Sequence, residues 1–199
     1  KAYEDEALPL LERLIQLDPQ SVSAHEHLAE NLLRRDELTR AEEMLKKLQV
    51  LCPADPLSWR GLAGIYVERD DDESALPQLI ELSRIEQNDH IVPWKAGKIL
   101  WKKGQPKEAI YWFRQALAID PASCGLHKAL GDVQMQLGDT AEALRAYTAL
   151  TIIEPTNAKY FEQAATAAAK LGDKAKARDF AKRAVDLDPT SPAKSLLGE

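Results

Sequence analysis

Prolines stand at Pro19, Pro53, Pro121, Pro155 and Pro189, so successive ones lie 34, 68, 34 and 34 residues apart. The double gap leaves one empty rung, at Gln87. A fixed period of this size points to stacked supersecondary units rather than one globular core, because each unit buries its apolar face only against its neighbours.

Other residues keep step with the prolines. One unit carries Leu28, Ala29, Leu32, Ala41 and Leu45, and the next Trp59, Leu62, Ala63, Tyr66, Ala75 and Leu79. Then come Ala96, Gly97, Leu100, Ala109 and Phe113, followed by Leu130, Gly131, Ala143 and Tyr147, and finally Phe161, Ala164, Ala165, Ala168, Ala177 and Ala181. Steps of three and four put Leu62, Ala63 and Tyr66 on one helix face. The small column (Ala29, Ala63, Gly97, Gly131, Ala165) lets a second helix approach closely, and the alanines of that second helix serve the same contact. The large residue four further on (Leu45, Leu79, Phe113, Tyr147) fills the space left over. Proline then ends the second helix, since it lacks an N–H and disfavours helix at the residue before it.

This arrangement of Trp-x2-Leu-small-x2-Tyr, Ala-x3-large and Pro resembles the tetratricopeptide repeat (TPR) over nearly the whole chain. The resemblance implies an all-α fold, an α-solenoid of antiparallel helix pairs stacked in a right-handed superhelix with a concave groove. Residues 1–21 are expected to be the second helix of a truncated repeat. Full repeats are expected at 22–55, 56–89, 90–123, 124–157 and 158–191, with 192–199 a cap or the start of a further repeat, where Leu196 and Leu197 would cover the last face. The helices read 3–17, then 22–34 with 38–51, 56–68 with 73–86, 91–103 with 106–119, 124–136 with 140–153, and 158–170 with 174–187. Asp36, Asp70, Gly104, Gly138 and Gly172 mark the turns within pairs, where a left-handed residue is needed. Asp70 with Glu73 and Asp139 with Glu142 read as helix starts, and Pro106 as a first helical residue. Pro9 and Pro77 are expected within about the first turn of second helices, where proline is tolerated.

The net charge of −6 does not favour nucleic acid or an anionic membrane. No apolar run approaches the roughly 20 residues of a membrane span. No signal peptide is visible, and the chain opens inside a repeat, as an excised piece would. The compartment is left open, with the cytoplasm as the default expectation. Cys52 and Cys124 show no paired spacing and read as free thiols.

Signs of chemistry are sparse. His25 and His27 are two apart, which points them to different sides of a helix. His25 and His127 share the column of Trp59 and Phe161, so they read as packed rings. The run from Asp70 to Glu73 reads as a solvated helix start. No catalytic residue, metal site or cofactor is expected, and the chain is not expected to be an enzyme.

One stretch stands out. Residues 91–107 hold Lys95, Lys98, Lys102, Lys103 and Lys107 and no acid. Trp94, Lys98 and Trp101 share a stripe offset from the core columns. In proteins of the resembling family this stripe lines the groove, so Arg60, Trp94, Lys98, Trp101, Lys102 and Lys128 are the candidate peptide-binding residues. They suit a protein or peptide with acidic side chains beside an apolar or aromatic anchor. The competing reading packs both tryptophans into the array. The chaperone-tail clamp of some family members is not matched: Glu26, Glu30, Arg60 and Gly64 stand at clamp-like positions. The favoured function is a non-catalytic protein–protein interaction module binding an extended peptide or partner helix. Alternatives are the substrate-selecting region of a larger enzyme, a self-assembling scaffold using its open end repeats, and nucleic-acid binding through the lysines, which the charge disfavours.

Overall fold

The computed structural model describes residues 2–198, with side chains from Ala7 onward. Among them all regular structure is helical. The order is α1 (Ala2–Leu17), α2 (Val22–Arg34), α3 (Leu38–Leu51), α4 (Pro56–Glu68), α5 (Asp72–Ile85), α6 (Ile91–Lys102), α7 (Pro106–Ile119), α8 (Cys124–Leu137), α9 (Thr140–Ile153), α10 (Ala158–Lys170) and α11 (Lys174–Leu187). A 3-10 turn follows at Pro192–Leu196. Each helix bound falls within one residue of its expected place. This is an α-solenoid fold of helix pairs, with α2, α4, α6, α8 and α10 as first helices.

The chain forms two compact units, one up to Ala96 and one from Gly97 on. In the first, each of α1 to α5 packs on the next, and α2 also touches α4. In the second, α7 to α11 pack in succession and the 3-10 turn lies on α10 and α11. Leu196 and Leu197 pack against a cluster that includes Phe161, Ala165 and Ala181, and so cover it.

Small columns set the helix spacing. Ala29, Ala41, Ala75, Ala109, Ala143 and Ala165 are fully buried. A β-carbon on Gly97 would lie 2.6 Å from Cε1 of Phe113, so only glycine leaves room for that ring. Burying a side chain such as Phe113 contributes about 1.5–3 kcal/mol. Another close approach went unread in the sequence. Gly61 of α4 faces Leu45 of α3, whose Cδ1 would stand 2.7 Å from an added β-carbon.

The turns within pairs repeat one hydrogen-bond scheme. Asp36, Asp70, Gly104, Gly138 and Gly172 all have positive φ, between 56° and 84°. The next residue's N–H reaches back to the carbonyl of Leu32, Tyr66, Leu100, Gln134 or Ala168 at 2.9–3.0 Å. This is the Schellman closure, which satisfies carbonyls that the ending helix leaves open. The same residue stands at the cap position of the following helix, and Asp71 and Asp173 bond that helix through their side chains. Asp71 accepts from the Ser74 N–H and Asp173 from the Lys176 N–H.

Between repeats, the residue before each of Pro53, Pro121, Pro155 and Pro189 is extended, with φ/ψ −140°/79° at Cys52 and −125°/79° at Glu154. Ring N–H groups tie the first helices to this turn. Trp59 Nε1 donates to the Pro53 carbonyl at 2.8 Å, and His127 Nε2 lies 3.0 Å from the Pro121 carbonyl. His25 is 2% exposed and its Nδ1 lies 2.8 Å from the Ser21 carbonyl, so it is a packed ring.

Three local expectations are corrected. Asp70 is the left-handed turn residue, and Asp71 is the cap of α5. Asp139 stands at the start of α9 without a side-chain cap bond. Pro77 is the sixth residue of α5 and Pro9 the eighth of α1, so both are interior. Each withholds a backbone donor inside the helix, at a cost of about 3 kcal/mol that packing must offset.

Candidate functional site

The six candidate residues fall in both units. Arg60 and Trp94 lie in the first; Lys98, Trp101, Lys102 and Lys128 lie in the second.

In the second unit, Trp101 ends the stripe on α6. Its ring meets Phe113 edge-on at 6.2 Å between centroids, and it is half-buried. The indole N–H donates to Gln136 Oε1 on α8 at 2.7 Å. Trp101 thus combines the two readings made of it: it braces the array and keeps part of its surface open. Lys98 and Lys102 are exposed.

Lys128 is exposed and forms an ion pair with Asp132, one turn on along α8. The other Asp132 oxygen accepts from the Tyr147 hydroxyl at 2.8 Å. Burial, reinforced by the Asp132 carboxylate, pushes the Tyr147 phenol well above its ordinary value. In the first unit, Arg60 pairs with Glu86 and, at 3.5 Å, with Asp89. Trp94 is half-buried. Arg60 and Lys128 therefore carry acidic partners, which reduces the cationic character expected of them.

The same columns continue one repeat further. Lys128, Asp132, Met135 and Gln136 become Glu162, Thr166, Ala169 and Lys170, each 34 residues on. There they line a cleft of about 670 Å³ with Gln163, Met135 and Tyr147. The 3-10 turn, through Pro192, Ala193, Ser195 and Leu196, forms the facing wall. Thr166 donates to the Glu162 carbonyl at 2.8 Å, while Gln163 Oε1 is buried with no donor. The sequence reading stopped at Lys128. The 34-residue step was the signal that could have found this cleft; of the wall supplied by the turn, only the cap at 192–199 with Leu196 was expected.

Among the described residues no group of three or more His, Cys, Asp and Glu is placed to hold a metal ion, and no helix is long and apolar enough to cross a membrane. Cys52 and Cys124 are free thiols.

Stacked helix pairs presenting a mixed aromatic, charged and amide face define a protein-interaction module. Tetratricopeptide repeat models match residues 4–50, 97–138 and 128–192, together more than half of the sequence. The chain belongs to the tetratricopeptide repeat family.

Among curated proteins, the chain is 24% identical over 158 residues to Protein CTR9 homolog of Arabidopsis thaliana. That match takes in 76% of this chain and 14% of the relative's length. Among solved structures, YrrB, described as a TPR protein with an unusual peptide-binding site, superposes with a TM-score of 0.72 at 21% identity, over 92% of this chain and 94% of that one. MamA superposes with a TM-score of 0.69 at 16% identity, over 86% and 93%. At these identities the structural likeness describes the fold.

Proposed function

We propose that the chain is a non-catalytic adaptor that holds an extended peptide of a partner protein against the face of its first helices. The observation that carries this is the cleft on α10, built from the same columns as Lys128, Asp132 and Met135. Lys98, Trp101, Lys102 and Lys128 are the binding residues of the second unit, and Arg60 and Trp94 those of the first, each unit taken by itself. The partner carries acidic side chains beside an apolar or aromatic anchor, and Trp101 supplies the ring surface for that anchor. YrrB, described as a TPR protein with an unusual peptide-binding site, has a similar fold, which supports this reading. The test is affinity capture with the intact chain, compared with Lys98→Glu and Trp101→Ala. Truncating an aromatic anchor commonly costs about 2 kcal/mol, roughly thirtyfold in affinity, and a rim lysine costs less. Trp101→Ala should therefore weaken capture more than Lys103→Ala does. Equal capture by all variants would sink the assignment of this face.

A second reading has its own observation. Leu10, Leu14 and Leu17 of α1 are 65%, 51% and 69% exposed. Leu48, Leu82 and Leu150 occupy the Leu14 column in other repeats and are buried. The open stripe of α1 suits self-association with another copy. Light scattering over a dilution series tests this; a concentration-independent monomer mass would exclude it.

A further inference from the structure

Resting on the peptide-groove reading, we infer that the cleft on α10 selects an extended segment with a basic residue, an apolar residue and an acidic residue at positions i, i+2 and i+4. Glu162 and Lys170 both line the cleft, eight residues apart on one helix. At 1.5 Å per residue they are separated by about 12 Å along the axis. An extended chain advances about 3.3 Å per residue, so four residues span about 13 Å. Alternate side chains of a strand point the same way, which sends i, i+2 and i+4 together toward α10.

What distinguishes this stripe is that its charges are unspent. One repeat earlier, Lys128 pairs with Asp132 and Gln136 accepts from Trp101. In the corresponding places on α10, neither Glu162 nor Lys170 has an ion-pair partner among the described residues. The basic residue of the segment meets Glu162 and its acid meets Lys170. Between them, Met135, Ala169 and Leu196 offer an apolar floor for the middle side chain. Exposed charge pairs contribute little affinity, so they set register and direction while the middle residue anchors.

Gln163 supplies an independent pointer. Its Oε1 is buried without a donor, although the side chain lines the cleft. Such an oxygen is costly to leave unmatched. A turn of the terminal amide sets it against a main-chain N–H of the seated segment, which regains the missing bond.

The experiment is a display selection of random linear peptides, twelve residues long, on the intact chain and on the charge swap Glu162→Lys with Lys170→Glu. Thermal melts confirm that the variants fold. The parent should enrich a base–apolar–acid pattern at i, i+2 and i+4, and the swap should enrich acid–apolar–base in the same chain direction. A fluorescein-labelled peptide carrying the parent pattern should lose at least tenfold in affinity on the swap and on Gln163→Leu. A pattern unchanged by the swap, or no enrichment at all, overturns the inference. Peptides that depend on Trp101 and ignore the swap overturn it too, while leaving the peptide-groove reading standing.

Discussion

Gly131 lies directly under the ring of Tyr147: a β-carbon there would sit 2.7 Å from Cδ1. The contact joins α8 to α9, and the Tyr147 hydroxyl is held at its far end by Asp132. Glycine is usually a weak helix residue, worth about 0.5–1 kcal/mol less than alanine. Here the close approach outweighs that loss.

Two glycines therefore respond in opposite ways. Gly131→Leu overpacks the α8–α9 contact and should destabilise the fold by about 1–3 kcal/mol. Gly64, in α4, has nothing within 4 Å of an added β-carbon. Gly64→Ala should stabilise by about 0.5–1 kcal/mol. Urea denaturation of both variants checks the pair; an unchanged midpoint for Gly131→Leu would show that the ring has somewhere else to go.

Acid sensitivity should centre on Glu42. Its carboxylate accepts from Lys46 at 2.6 Å, from Arg69, and from the Tyr66 hydroxyl at 3.1 Å. The Lys46 bond, followed by those from Arg69 and Tyr66, pulls its pKa from the ordinary 4.5 down to about 2. A carboxyl lowered by folding stabilises above its unfolded value and loses that contribution as pH falls toward the folded one. Surface water screens the network, so the contribution is about 1–2 kcal/mol at neutral pH. Glu42→Gln should cost that much at pH 7, and the difference from the parent should shrink between pH 4.5 and pH 2. A difference that is constant with pH would refute the assignment.

Asn31 breaks an apolar column. Ile65, Ile99 and Val133 hold the equivalent places and are buried, as Asn31 is. Its Oδ1 has no hydrogen-bond partner. Asn31→Val removes the unmatched oxygen and should stabilise by about 1 kcal/mol. A lower melting temperature for this variant would mean that the amide has a role the fold needs.

The empty rung supplies the last prediction. Helix α5 ends before Gln87 as its counterparts end before proline, and Glu86 is extended at φ −107°, ψ 83°. Gln87→Pro should fit this backbone and stabilise by about 0.4–1 kcal/mol, by restricting the unfolded chain. Destabilisation, read from the urea midpoint, would show that the Gln87 N–H is in use.

Much of the candidate face could be read from the chain because it repeats. Trp101 drew notice as an aromatic on a groove stripe, and the 34-residue step leads from Lys128 to Glu162. Its neighbours could not be read. The Gln136 amide reaches Trp101 from another helix. The wall at Pro192–Leu196 is a short 3-10 turn, with too few residues to show a helical period. Asp70 and Asp71 both suit a turn, and which becomes left-handed depends on the bond from the Asp71 N–H to the Tyr66 carbonyl.

By itself, then, the sequence determined the period, the helix pairs and their ends. These rest on short-range rules: glycine or aspartate in a left-handed turn, proline after a helix, apolar residues three and four apart. Tertiary structure decided what no local rule reaches. It ends α5 at Ile85 without a proline, carries Pro77 inside that helix, and presses Gly61 onto Leu45. It also brings the Gln136 amide to the Trp101 indole from another helix, while among the described residues Glu162 and Lys170 have no ion-pair partner. The physical reason is that a charge or a void is settled by whichever group another helix brings within a few ångströms, and that depends on packing rather than on neighbours in the chain.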